Sequence, residues 1–329
     1  MRKLIIIVAA LLLTGVAHAA PGSDAVAPLH RAQFDFHSGF LINLHSFLLD
    51  AASHKGKLDA EAWQFLPSDA EMKSLNEVVA FYEANYAKRD ALFDETMIEI
   101  KIALSVADDS RQDIAGLNLP SDLAEQLRKA APIYARCLWL SQDKFNRDWI
   151  RQIKALDTRY GAEIQAGIEH YLAHEYPIGP IREDVVVADG EWAGAYTTTE
   201  PMQTVISSGK PTYQGLAALE MLYHESSHIH VTDTVQDKIA DDLKAMKQSG
   251  DSSLWHAVQF YTVGEVTREV LKRRDNIDYQ PFALKNGVYT HGTWSVFLPL
   301  ILASWAPYMN GDMGMNEALK QMVAKLPPT

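Results

Sequence analysis

One stretch interrupts a chain that otherwise reads as helix. From Asp184 to Gly209 the residues turn β-branched and aromatic, "DVVVADGEWAGAYTTTEPMQTVISSG", with turn formers among them. Val, Thr, Trp and Tyr in short runs bounded by Gly and Pro favour strands. Asp189-Gly190 is a hairpin signal between Val185–Val187 and Trp192–Thr198. Thr204 to Ser207 fits a further strand, and Pro201 marks an edge strand or a break. On either side of this stretch apolar residues recur at helical spacing, as in Phe36, Phe40, Leu44, Phe47 and Leu48, in Leu75, Val78, Val79 and Tyr82, and in Leu138, Phe145, Trp149 and Ile153. This pattern predicts a predominantly α-helical α+β fold with a small antiparallel β segment. A helical region over 20–176 would precede a second region over 177–329, as two domains or as one continuous domain.

Pro67, Pro120 and Pro132 punctuate the first region, with Ser68 and Ser121 as N-caps. After the strands, spacing predicts helices from Thr212 to about His230, from Thr234 to Lys247 and from Leu254 to Arg273. "TWSVFLPLILASW" predicts a buried helix kinked at Pro299, too short to span a bilayer.

The start of the chain bears on compartment. Arg2 and Lys3 precede an apolar run from Leu4 to Val16, followed by Ala17-His18-Ala19. That is the layout of a secretory signal peptide over 1–19, which predicts a periplasmic or secreted protein with no membrane span after cleavage. Cys137 is the only cysteine, so no intrachain disulfide can form and stability must come from core burial. The formal net charge is −12, and losing Arg2 and Lys3 would take it to −14. An acidic balance argues against nucleic acid and anionic lipid as partners. Oligomeric state is not encoded in these features.

The chemistry is concentrated in "EMLYHESSHIHVTD", which contains His224-Glu225-Ser226-Ser227-His228. Residues four apart share a helix face, so the two imidazoles can address one ion. Glu225 is rotated about 100° from His224, the place for a general base that takes a proton from the attacking water. A catalytic zinc needs a third protein ligand and an open position. The three-histidine extension would require Gly at 231 and His at 234, where this chain has Val231 and Thr234. His230 and Asp233 lie too close in sequence to fold back onto the ion. Downstream, in "FYTVGEVTREVLKRR", Glu265 and Glu269 share a predicted helix face.

With HExxH on one helix and a glutamate on a following one, the chain resembles the gluzincin branch of zinc metallopeptidases, the group that includes thermolysin. The resemblance covers two short blocks, about a tenth of the chain. It implies Zn2+ held by His224, His228 and Glu265, with Glu269 supporting a ligand histidine and Glu225 as base. It also implies an edge strand before the HExxH helix, for which Ala195–Thr199 and Thr204–Ser208 are candidates. An oxyanion-stabilising side chain is expected, with Tyr289 and His291 in "GVYTHGTW" first in line and Arg268 and Tyr261 beside Glu265. The function implied is a zinc metallopeptidase acting on a peptide or protein substrate, an endopeptidase since no exopeptidase motif precedes the helix. A binding protein on the same scaffold, or hydrolysis of a non-peptide amide, stays open beside it. His170 with His174, and His37 with His45, fit structural roles. Phosphate loops, a GxSxG elbow and CxxC pairs are absent.

Overall fold

The computed structural model describes residues 30–54, 63–188 and 194–328. The expected signal segment and Asp189-Gly190 lie outside the described residues. The fold is predominantly helical α+β around one four-stranded sheet. In chain order the elements are β1 (Gln33–His37), α1 (Phe40–Ser53), α2 (Asp69–Asn85), α3 (Glu95–Ser105), α4 (Ser121–Tyr134), α5 (Leu140–Leu172), β2 (Pro180–Val186), β3 (Ala195–Thr198), β4 (Gln203–Ser207), α6 (Leu216–Ser227), α7 (Asp233–Met246) and α8 (Leu254–Asp275). Short helical turns and a C-terminal helix, Met315–Ala324, complete the chain. No described helix is long and apolar enough to cross a membrane.

Expectations about the strands change here. The segment around Phe36 is a strand, not a helix turn: Phe34 and Phe36 alternate with Asp35, and Ser38-Gly39 separates them from α1, which begins at Phe40. The expected hairpin between the segments flanking Asp189-Gly190 does not form as a pair. Strand order is β1-β2-β4-β3, so β4 lies between β2 and β3. β1, β2 and β4 run parallel, and only β3 is antiparallel, paired to β4 through the turn containing Pro201. The sheet is therefore mixed, with β1 and β3 at its two edges.

Side-chain alternation gives the sheet two buried faces. Val186 and Val205 join a core built from α1 to α4. Val185 and Ile206 join Trp149 and Ile153 of α5 and Met221 and Leu222 of α6 on the other side. A larger core binds α5 to α6, α7, α8 and the C-terminal helix through Ile164, Leu219, Val263, Val266 and Leu319. β1, from the first expected region, pairs with β2 from the second, so the two share one sheet. Ser68 caps α2 in a capping box with Glu71, as its position predicts. Ser121 instead opens α4 behind Pro120 without a side-chain cap. The apolar run near the C-terminus is not one kinked helix. It divides into a 3-10 turn (Gly292–Val296), a helical turn (Phe297–Leu300), a π turn (Ile301–Trp305) and a last helical turn (Ala306–Met309).

Candidate metal centre

α6 begins abruptly. Gly215 has φ 57° and ψ −126°, a conformation closed to residues with a Cβ, and it turns the chain from the β4 exit into the helix. Leu219, Leu222 and Tyr223 bury the helix back, and every residue from Ala218 to Ser227 is buried. His224 and Glu225 occupy its last turn, and His228 is the C-cap. The chain then leaves through His230, whose positive φ of 66° swings it into α7. His230 Nδ1 pairs with Asp233 Oδ2 at 2.9 Å, so these two engage each other.

The 247–253 connection brings the start of α8 against the end of α6. His256, in the first turn of α8, places its Nε2 3.3 Å from His224 Nε2. One ring nitrogen from each of His224, His228 and His256 lies within 4.8 Å of the others, and this trio could hold a metal ion. Two nitrogens on one tetrahedral ion at 2.0–2.1 Å stand about 3.3 Å apart, so the closest pair already has ligand spacing. Gln259, one turn beyond His256, fixes the two helices together. Its Nε2 donates to the His224 carbonyl and to Ser227 Oγ, each at 2.8 Å.

Aromatic rings wall the trio. Phe260 stacks on His224 with centroids 3.6 Å apart, Trp255 stacks on His256 at 5.1 Å, and Trp294 meets His256 edge-on at 5.1 Å. Burial in this apolar setting disfavours the imidazolium. His224 is held well below the usual histidine range by burial and then by the two neighbouring rings. His228 is pushed down to about 3 by burial and by His256, and His256 to about 4 by burial. All three are neutral near pH 7, the form that ligates. His224 Nδ1 is buried without a partner.

Glu225 is buried beside them, and its Oε2 accepts a hydrogen bond from Thr197 Oγ1 of β3 at 3.0 Å. Burial pushes its carboxyl up to about 7, against the Thr197 hydrogen bond and the positive charge of Lys210. A bound cation next to it would draw that value down. The edge strand expected before the HExxH helix is thus β3, not the internal β4.

The other expected residues fall elsewhere. Glu265 is nine residues past His256 on the same helix, about 13.5 Å along the axis and on the opposite face. Its Oε2 accepts from Arg268 Nε at 2.9 Å and from Arg268 Nη2. His256, not Glu265, is the residue the fold brings to His224 and His228. Glu269 is one turn farther still, half-buried, and burial raises its pKa. Tyr289 is buried with its hydroxyl donated to the Ala257 carbonyl at 2.9 Å, which commits it to the α8 backbone. His291 is exposed. The loop they belong to does reach the centre, through Trp294. The remaining histidine pairs are structural: His45 bonds Tyr82 Oη, His37 bridges Asp35 and Asp109, and His170 and His174 are exposed.

His256 carries no motif, only a histidine in the first turn of a predicted helix beside Trp255, and its pairing with the HExxH turn depends on the length of the intervening α7 excursion. No family model matches the chain, and no curated protein and no solved structure matches it either.

Proposed function

We propose that this protein is a zinc-dependent hydrolase, with a peptide bond as the target, in which His224, His228 and His256 hold the ion and Glu225 is the general base. The observation that carries the reading is the convergence of three neutral imidazoles with a buried carboxylate from the same helical turn. Three histidines and one open position form a donor set that suits zinc. Zinc, when bound, supplies Lewis acidity and lowers the pKa of water towards ~7.

The chain's own residues supply the rest. Gln259 and the aromatic wall hold the imidazoles in place, so little reorganisation is needed on binding. Glu225 takes the proton of the attacking water and returns it to the leaving amine. Thr197 fixes one oxygen of that carboxylate and leaves the other for the proton. β3 supports the choice of a peptide: it is an edge strand of the described sheet, and an extended substrate could add there as a strand, beside Glu225.

The test compares wild type with His256→Ala and Glu225→Gln by metal analysis and by cleavage of a peptide library. Glu225→Gln should retain zinc and lose about 1000-fold or more in cleavage. His256→Ala should lose bound zinc. Stoichiometric zinc in His256→Ala would remove it from the ligand set, and equal cleavage by Glu225→Gln would remove Glu225 from the chemistry.

A further inference from the structure

Glu183 is a buried carboxyl that nothing so far explains. It lies in β2 with no exposed surface, and among the described residues neither oxygen makes a hydrogen bond within normal geometry. Its place in the sheet is specific. Glu183 stands opposite Thr204 of β4, and Thr204 stands opposite Thr197 of β3. The three side chains form one row across the sheet on the face that meets α6, and the row ends on Glu225.

The links are short. Thr197 Oγ1 donates to Glu225 Oε2 at 3.0 Å, and the two threonine hydroxyls are 3.1 Å apart. A threonine has one proton to give. With Thr197's proton committed to Glu225 Oε2, Thr204 must be the donor between the hydroxyls. Thr204 then has only lone pairs left, so the group beyond it can join the row only as a donor. A carboxyl at that end therefore has to be protonated. Burial without a countercharge favours the same form, and the negative charges of Glu225 and Asp184 add to it. The Thr204 hydroxyl acts the other way, favouring the ionised form, and by less than burial and the two charges. Other groups facing Glu183 do not neutralise it: Tyr176 is a buried phenol bonded to the Tyr223 carbonyl, and Asp184 points to the opposite face, where it binds Arg182.

We propose that Glu183 is a positioning residue for Glu225: as the donor at the far end of the Thr204–Thr197 row it points both hydroxyls toward Glu225 and so keeps that carboxylate oriented. This rests on the reading of Glu225 as the base, and it adds a residue that touches neither substrate nor ion.

The test uses full-length protein with Glu183→Gln, Glu183→Leu and Thr204→Val, each checked for folding and zinc content. Glu183→Gln still donates to Thr204 and should keep kcat within about 3-fold. Glu183→Leu and Thr204→Val should each lower kcat about 10-fold with KM and zinc content unchanged, the size of effect seen when a group that orients a site residue is removed. Equal kcat for Glu183→Leu and wild type would overturn the proposal. An infrared difference spectrum of wild type minus Glu183→Gln at pH 7 needs no substrate. It should contain the C=O stretch of a protonated carboxylic acid, and a carboxylate band in its place would overturn the proposal even if no cleavable substrate were found. Absence of zinc-dependent cleavage with the acid band present would instead count against the hydrolase reading alone.

Discussion

Glu183 and Asp184 are adjacent in β2, both fully buried, and face opposite layers. Asp184 is surrounded by donors. Arg182 Nε and Nη2 grip it at 2.8 and 2.9 Å, and Gln203 Nε2 donates to it at 2.7 Å. The polar groups around it are paired as well: Gln203 also binds Ser105 Oγ, and Lys101 donates to Thr198 Oγ1 at 2.9 Å. On the face that meets α6 the polar groups are few, undersupplied with donors, and aligned on Glu225. A buried acid with a full set of partners holds the α3 layer to the sheet. A buried acid without partners costs stability, and the sequence keeps it where a carboxylate of the candidate site can feel it. The two residues look alike in the sequence and differ only in what the other strands place opposite them.

The largest expected effect comes from breaking the satisfied side. Asp184→Ala removes the acceptor for Arg182 and Gln203 and leaves a partly buried guanidinium uncompensated. Loss of one partner of a buried pair costs about 3–5 kcal/mol. Chemical denaturation should show a drop of that order, and a change under 1 kcal/mol would mean that solvent reaches this face.

The opposite side should respond with the opposite sign. Glu183→Leu replaces an unsatisfied carboxyl with an apolar group and should raise stability by about 1 kcal/mol near neutral pH. The pH dependence follows from the direction of the shift. Burial holds the folded-state pKa of Glu183 above its ordinary value of 4.5, so the folded state keeps a proton that the unfolded chain has already released. Wild-type stability therefore falls as pH rises from 4.5 toward that higher value, and the Leu variant lacks this slope. Urea titrations at pH 5 and pH 8 should show the advantage of the variant widening with pH. A narrowing gap would place a stabilised, ionised carboxylate at Glu183 and erase the contrast with Asp184.

How much of this was legible in the sequence follows the range over which each feature is set. Most of the helical periodicity, the strand-rich island, the Ser68 cap and the His224–His228 turn depend on neighbours within a few residues and are present where the spacing puts them, while Phe36, at helical spacing from Phe40, lies in β1. Long-range pairing is another matter. Alternation marks β2, β3 and β4 as strands, but not that β4 inserts between the other two, and this insertion aligns Glu183 with Thr204 and Thr197. His256 is on a helix predicted to within two residues of its observed end, yet its meeting with His224 depends on where the 247–253 connection turns. The glutamate spacing in α8 did place Glu265 and Glu269 on one face. That face looks away from the histidines, because nine residues from His256 is two and a half helical turns.

Glu265 supplies the zero point for the two buried acids. It is an acid on the same helix as His256, its carboxylate about 13% exposed, with its charge matched by Arg268, whose side chain is 44% exposed. Ion pairs three apart on a helix whose cation stays in water are worth about 0.5 kcal/mol. Glu265→Gln should therefore change unfolding free energy by about that amount, less at high salt, and leave zinc content unaltered. Its effect should be roughly a tenth of that of Asp184→Ala. Loss of bound metal in Glu265→Gln would require α8 to rotate by about half a turn from the arrangement that puts His256 against His224. It would restore the glutamate-ligand arrangement that the resemblance to gluzincins implies. Retention of metal in Glu265→Gln with loss in His256→Ala would leave the three histidines as the ligand set.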